Sequence, residues 1–89
     1  MESVELPIED SLDLHSFQPK EIASLVEEYL HQARLKGYRE VRIIHGRGIG
    51  VQRHIIHSIL HQHPHVASFR DAMDRGSTLV TLAGVTPKA

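Results

Sequence analysis

The stretch Val41-Arg42-Ile43-Ile44-His45-Gly46-Arg47-Gly48-Ile49-Gly50 constrains this chain more than any other. A β-branched run stops at a histidine, alternating glycines follow, and an amphipathic helical pattern begins. A strand that runs through a glycine turn into a helix makes an anion site from backbone alone. The first helical N–H groups have no partner within the helix, the helix dipole is positive at that end, and glycine lets a phosphate oxygen come close. Arg47 and Arg53 add charge there. Phosphate is the expected ligand group, and nucleic acid its expected carrier.

The rest of the chain supplies the frame. Leu12-Asp13-Leu14-His15 has the period of two of a short strand. Pro19 suits the first position of a helix, with Gln18 as its cap, and Ile22, Leu25, Val26, Tyr29, Leu30 and Ala33 form one apolar stripe. Gly37 after Lys36 stops that helix, giving bounds of 19–36. Residues 41–45 form the second strand, 50–62 the second helix, 66–72 the third strand and 77–82 the fourth, after a turn at Asp74-Arg75-Gly76. The order β-α-β-α-β-β predicts an α/β (α+β) two-layer sandwich. Its four-stranded mixed sheet carries two helices on one face, the first three strands running parallel and the last two forming an antiparallel pair. With Leu12, Leu14, Val41 and Ile43 towards the helices, Asp13, His15, Arg42 and Ile44 would lie on the uncovered face.

Eighty-nine residues make one small domain. Residues 1–11 read as a loose acidic tail, 12–84 as the domain and 85–89 as a second tail. The chain has no cysteine, which excludes disulfides, zinc-thiolate sites and a cysteine nucleophile. No apolar run approaches the roughly 18 residues of a membrane span, and no signal-peptide pattern opens the chain, so a cytoplasmic location and no membrane partner are expected. The first 13 residues hold Glu2, Glu5, Glu9, Asp10 and Asp13 and no basic residue. Between residues 36 and 53, by contrast, Lys36, Arg39, Arg42, Arg47 and Arg53 face only Glu40. A basic patch on a near-neutral chain fits a local anion contact and does not fit coating of nucleic acid by bulk charge.

Other motifs are excluded by position. A dinucleotide fingerprint would need glycine where Val51 stands, and no Gly-Lys-Ser/Thr follows the turn. His54, His57 and His61 share one stripe of the second helix, placed opposite its Val51, Ile55, Ile56, Ile59 and Leu60 stripe and therefore in solvent. With no carboxylate or supporting partner evident beside them, no metal site is assigned. The aromatic residues are Phe17, Tyr29, Tyr38 and Phe69, too few for a base-stacking platform.

Leu12-Asp13-Leu14-His15, then His45-Gly46-Arg47-Gly48 ahead of a second helix, then Phe69, Ala72 and Gly76-Ser77-Thr78-Leu79-Val80-Thr81-Leu82 resemble the small MutS-related (Smr) domain over residues 12–84. The resemblance implies a stand-alone Smr domain with the β-α-β-α-β-β sandwich, which is similar to the C-terminal domain of a translation initiation factor. It also implies nucleic-acid binding and, as in several members, endonuclease activity that nicks DNA or cleaves RNA. Members are linked to DNA repair and recombination, or to messenger RNA and stalled ribosomes. This chain departs from the family pattern at Ser16, where glycine is usual, and in its shortened turn Asp74-Arg75-Gly76-Ser77, with Thr78 kept.

The first motif assigns catalysis to Asp13 and His15, the second to His45. Histidine can act as base or acid near neutral pH, and Asp13 could orient His15 or hold a divalent cation such as magnesium. Nucleic-acid contacts are assigned to Arg42, Gly46, Arg47, Gly48, Gly50, Arg53 and Thr78. The alternative is a non-catalytic adaptor that docks DNA, RNA, a ribosome or a protein through the same loop or through Ile44. A small phosphorylated ligand ranks below both, since no adenine- or ribose-binding residues stand out.

Overall fold

The computed structural model describes residues 9–46 and 50–84. Its elements, in chain order, are β1 (Ser11–Asp13), α1 (Pro19–Lys36), β2 (Glu40–Ile44), α2 (Val51–Gln62), β3 (Val66–Asp71) and β4 (Ser77–Leu82). The sheet order is β1-β2-β4-β3. Strand β1 pairs β2 in parallel, and β4 lies antiparallel to both β2 and β3. The first three strands therefore share one direction, as expected, but β4 separates β2 from β3.

Helix α1 starts with Pro19 at a position that needs no N–H. The Glu21 carboxylate accepts a 2.9 Å hydrogen bond from the Gln18 backbone N–H, which secures the first turn. Gly37 closes the helix in the left-handed region at φ 87°, its N–H returning to the Ala33 and Arg34 carbonyls. The apolar stripe Ile22, Val26, Tyr29, Leu30 and Ala33 is buried along its length.

The same logic sets the sheet. Leu14, Val41, Ile43, Val80 and Leu82 join the α1 stripe and Ile56 and Leu60 of α2 in one core. Burying each large aliphatic side chain contributes about 1.5–3 kcal/mol relative to exposure. Register places Val41 beside Val80 and Ile43 beside Thr78, so these four share the helix-covered face. The alternate residues Arg42, Ile44, Leu79 and Thr81 lie on the other face, half-buried. Both helices thus cover one side of the sheet. Among the described residues no helix is long and apolar enough to cross a membrane.

Strand β1 is shorter than its alternating pattern predicts. Leu14 N–H still reaches the Ile44 carbonyl at 2.7 Å. The next amide, of His15, is taken by the Asp13 side chain at 3.1 Å, so His15 sits in a turn beyond the strand. An aspartate that captures the amide two residues on is a local competitor of sheet pairing.

Candidate functional site

Side chains with chemistry gather at the C-terminal end of β2, in two groups on opposite sides of that strand. Asp13 neighbours Ile44 in the parallel register and lies on the uncovered face. Its Oδ1 is 2.5 Å from Nδ1 of His15, and both side chains are about half exposed. A carboxylate only accepts, so Nδ1 carries the hydrogen and Nε2 of the neutral ring keeps its lone pair. The hydrogen bond from the His15 ring, aided by the one from its backbone, holds the Asp13 carboxyl below its ordinary value. The first motif therefore brings an ionised carboxylate against an accessible imidazole.

Arg42 lies on the same face. Its Nη1 donates to Asp74 Oδ2 at 3.2 Å and to Ser77 Oγ at 3.0 Å. Asp74 is held in turn by the tight turn before β4. Its Oδ1 accepts from the Gly76 N–H at 2.9 Å and from the Ser77 hydroxyl at 3.1 Å. The backbone hydrogen bond from Gly76 is the main cause of its lowered pKa. The shortened turn closes with Arg75 at φ 61°. It also braces His45 and Gly46, because the Gly76 carbonyl accepts from both His45 N–H (3.0 Å) and Gly46 N–H (2.9 Å).

The second group lies on the helix side, buried at His45 and Thr78. His45 continues the inward alternation of Val41 and Ile43 and is 4% exposed. Its Nε2 lies 2.9 Å from Thr78 Oγ1 and its Nδ1 3.0 Å from the Gly46 carbonyl oxygen. Thr78 is fully buried, and its hydroxyl also meets His57 Nε2 at 2.8 Å. Asp71 neighbours Thr78 in the β3–β4 register and brings its Oδ1 to 3.6 Å from His57 Nε2. Arg53 grips both oxygens of Asp71, at 2.9 and 2.6 Å, and its hydrogen bond is the main cause of the lowered Asp71 pKa. Burial, then the nearby Arg53 charge, lowers the pKa of His57. The edge of the His57 ring packs against Phe69 at 4.9 Å between centroids.

Three placements differ from the reading of the sequence. His57 is less exposed than His54 and His61: it lies three positions before the buried Leu60, about 60° round the helix from it, and its part-buried ring turns towards β4. Thr78 is enclosed and offers no group to a ligand at the surface. His45 is also enclosed, with both ring nitrogens engaged, so it is separated from the exposed Asp13–His15 pair. Arg42 and Arg53 are each paired with an aspartate, Asp74 and Asp71, that sequence spacing did not connect to them. Gly46 and Gly50 both hold positive φ, 87° and 86°. Arg47 and Gly48 lie outside the described residues.

Gly46 links the two groups. Its carbonyl faces His45, while a Cβ added to it would stand 3.3 Å from the Cβ of His15. Helix α2 opens at Gly50 with no acidic residue of its own in its first turn, unlike α1 with Glu21. Among the described residues, His45, His57 and Asp71 form the group that could hold a metal ion, with ligand atoms within 4.8 Å of one another. Tetrahedral zinc at 2.0–2.1 Å per bond needs ligand spacings of about 3.3 Å. As arranged, the Thr78 hydroxyl bridges the two imidazoles and Arg53 occupies the carboxylate, which makes this set a hydrogen-bonded chain.

The fold and the paired motifs define a small α/β domain of the MutS-related class. A family model described as Smr domain matches residues 12–83, and the chain belongs to that family. It is 39% identical over 79 residues to Endonuclease MutS2 of Caldicellulosiruptor bescii, which covers 84% of this chain and 10% of the relative. It is 44% identical over 64 residues to Endonuclease MutS2 of Halalkalibacterium halodurans, covering 72% of this chain and 8% of that protein. The chain thus spans about a tenth of the length of these relatives. The crystal structure of the Smr domain of Thermus thermophilus MutS2 superposes with a TM-score of 0.79 at 32% identity, covering 82% of this chain and 96% of that one. YdaL, a stand-alone small MutS-related protein from Escherichia coli, gives a TM-score of 0.79 at 27% identity, covering 85% and 66%.

Proposed function

We propose that this Smr domain binds structured DNA or RNA at the Gly46–Gly50 segment and hydrolyses a phosphodiester bond beside it. The observation that carries this reading is the Asp13–His15 pair, exposed and set against Gly46 at the approach to α2. Asp13 leaves Nε2 of His15 as the base. That nitrogen takes a proton from the attacking water, the new P–O bond forms, the bond to the leaving sugar oxygen breaks, and that oxygen takes a proton from solvent. The positive end of α2, with Arg53 in its first turn, lowers the cost of the charge that develops on the phosphate. Kinship with proteins named Endonuclease MutS2 supports the same chemistry. His45, enclosed and doubly bonded, positions Gly46 and does not touch the phosphate.

The test is incubation of the purified domain with plasmid, branched DNA and structured RNA, with and without magnesium, beside His15→Ala. Cleavage by the wild type and its loss in the variant support the reading. Binding that weakens steeply with salt but leaves every substrate intact reduces the domain to a nucleic-acid-binding module. Binding that ignores salt points to the adaptor that docks protein through apolar surface.

A further inference from the structure

The cleavage chemistry leaves one internal arrangement without a role: the run His57–Thr78–His45–Gly46, which joins α2, β4 and the end of β2. Thr78 Oγ1 is within 2.8–2.9 Å of Nε2 on both histidines. A hydroxyl has one hydrogen, so it donates to one ring and accepts from the other. The direction is set at the far end. The Gly46 carbonyl only accepts, so the hydrogen between it and His45 Nδ1, 3.0 Å away, belongs to His45. The Nε2 of the neutral His45 ring is then bare, and Thr78 donates to it. The hydroxyl in turn accepts from Nε2–H of His57. Asp71 Oδ1, 3.6 Å from that same nitrogen, favours a hydrogen there. The polarity runs one way, from His57 through Thr78 and His45 to the Gly46 carbonyl.

We infer that His57 and Thr78 are positioning residues that act through His45 on Gly46. By donating the Thr78 hydroxyl to Nε2, they reinforce the Nδ1–H tautomer of His45 that the Gly46 carbonyl favours. That tautomer anchors the Gly46 carbonyl on the helix side, and the anchored glycine presents its Cα side to His15. The chain reaches Gly46 from within, while the two amide hydrogen bonds to the Gly76 carbonyl hold it from the β3–β4 turn. Removing the hydroxyl while keeping its volume leaves the Gly76 contacts but releases the His45 tautomer. The consequence for catalysis rests on the proposed cleavage at His15; the tautomer and the Gly46 geometry do not.

The experiment is long-range ¹H–¹⁵N NMR of the histidine rings in the full chain at neutral pH, with Thr78→Val, Thr78→Ser, His57→Leu and His57→Gln. The wild type is expected to show His45 protonated at Nδ1 and His57 at Nε2. Thr78→Val should move His45 towards a tautomer mixture and shift the Gly46 amide and the His15 ring signals. Thr78→Ser should restore all three. His57→Leu should shift the Gly46 amide while His57→Gln, whose amide can donate to the hydroxyl, should restore it. Where the wild type cleaves, Thr78→Val and His57→Leu should lower kcat by about ten- to a hundredfold, with KM little changed, since a small misplacement near the reacting atoms costs that much. Thr78→Ser and His57→Gln should recover the rate. The inference is overturned if wild-type His45 carries its hydrogen on Nε2 or on both nitrogens. It is equally overturned if a folded Thr78→Val or His57→Leu leaves the His45 tautomer and the Gly46 amide unmoved. A wild type that cleaves nothing defeats the proposed hydrolysis and leaves the tautomer result to judge the chain.

Discussion

Gly46 and His15 face each other so closely that a Cβ on the glycine would stand 3.3 Å from the histidine Cβ. Ordinary carbon contacts are about 3.5–4.0 Å. Gly50 offers the matched control: its φ is 86°, and among the described residues nothing lies within 4 Å of the same added atom. Alanine at either position costs about 1–2 kcal/mol for the left-handed backbone. Gly46→Ala must also displace His15. Urea denaturation should therefore show both variants destabilised, Gly46→Ala more, while the His15 ring signals move only in Gly46→Ala.

The Asp13–His15 pair separates orientation from the base itself. Asp13→Asn keeps an oxygen for the His15 backbone amide but lets the imidazole present either tautomer. His15→Ala removes the base, and the expected loss of cleavage is about 10²–10⁴-fold. Asp13→Asn should reach at least the lower end of that range. Both side chains are half exposed, so the melting temperatures and nucleic-acid affinity should stay close to wild type. A parallel collapse of binding and cleavage would mean the pair holds the ligand and does not perform the chemistry.

Long, strongly periodic elements were legible in the sequence. The Pro19, apolar stripe and Gly37 signals place α1 at 19–36, the bounds the structure shows, and β4 likewise matches at 77–82. The pairing of Asp13 with His15 is local, two residues apart, and so was readable from the motif. What was not readable depends on contacts across the fold. Helical periodicity puts His57 on the flank of the apolar stripe, but only the neighbouring β4 decides that it turns inwards to Thr78. Asp71 and Asp74 look like ordinary turn-flanking acids until the sheet brings Arg53 and Arg42 against them. His45 sits at the strand end beside a glycine segment, which suggests exposure. The inward parity of Val41, Ile43 and His45 is the signal that it is buried.

The Arg42–Asp74 pair bears on affinity with an unusual sign. Asp74 holds its turn through Oδ1, while Oδ2 takes the Arg42 guanidinium. Asparagine can keep the Oδ1 acceptor and lose the charge. Asp74→Asn should therefore preserve the turn, leave Arg42 without its countercharge and tighten nucleic-acid binding. On duplex DNA the log–log salt slope should steepen by up to about 0.9 if Arg42 gains one phosphate. Adding Arg42→Gln to Asp74→Asn should abolish the gain. Unchanged affinity and slope in Asp74→Asn would remove the uncovered face from the interface.

His57 gives the stability of the domain an acid limb well above the carboxylate range. Burial, then the Arg53 charge, holds its folded pKa below the ordinary 6.5. Between that lowered value and 6.5 the unfolded chain binds a proton that the folded chain refuses. Stability therefore rises with pH through this window, is complete above 6.5, and is lost as pH falls through it. His65, lowered mainly by desolvation, adds with the same sign but is exposed and contributes little. The lowered carboxylates Asp13, Asp71 and Asp74 have the sign of stabilising anions, so their contribution is lost only below their ordinary 3.8. Urea midpoints measured stepwise downwards from neutral pH should show a first decline beginning near pH 6.5 and a second in the carboxylate range. His57→Gln, which keeps a donor for Thr78 but cannot take up a proton, should flatten the first decline and leave the second. If the two proteins lose stability in parallel above the carboxylate range, the part-buried His57 is not the group that resists protonation.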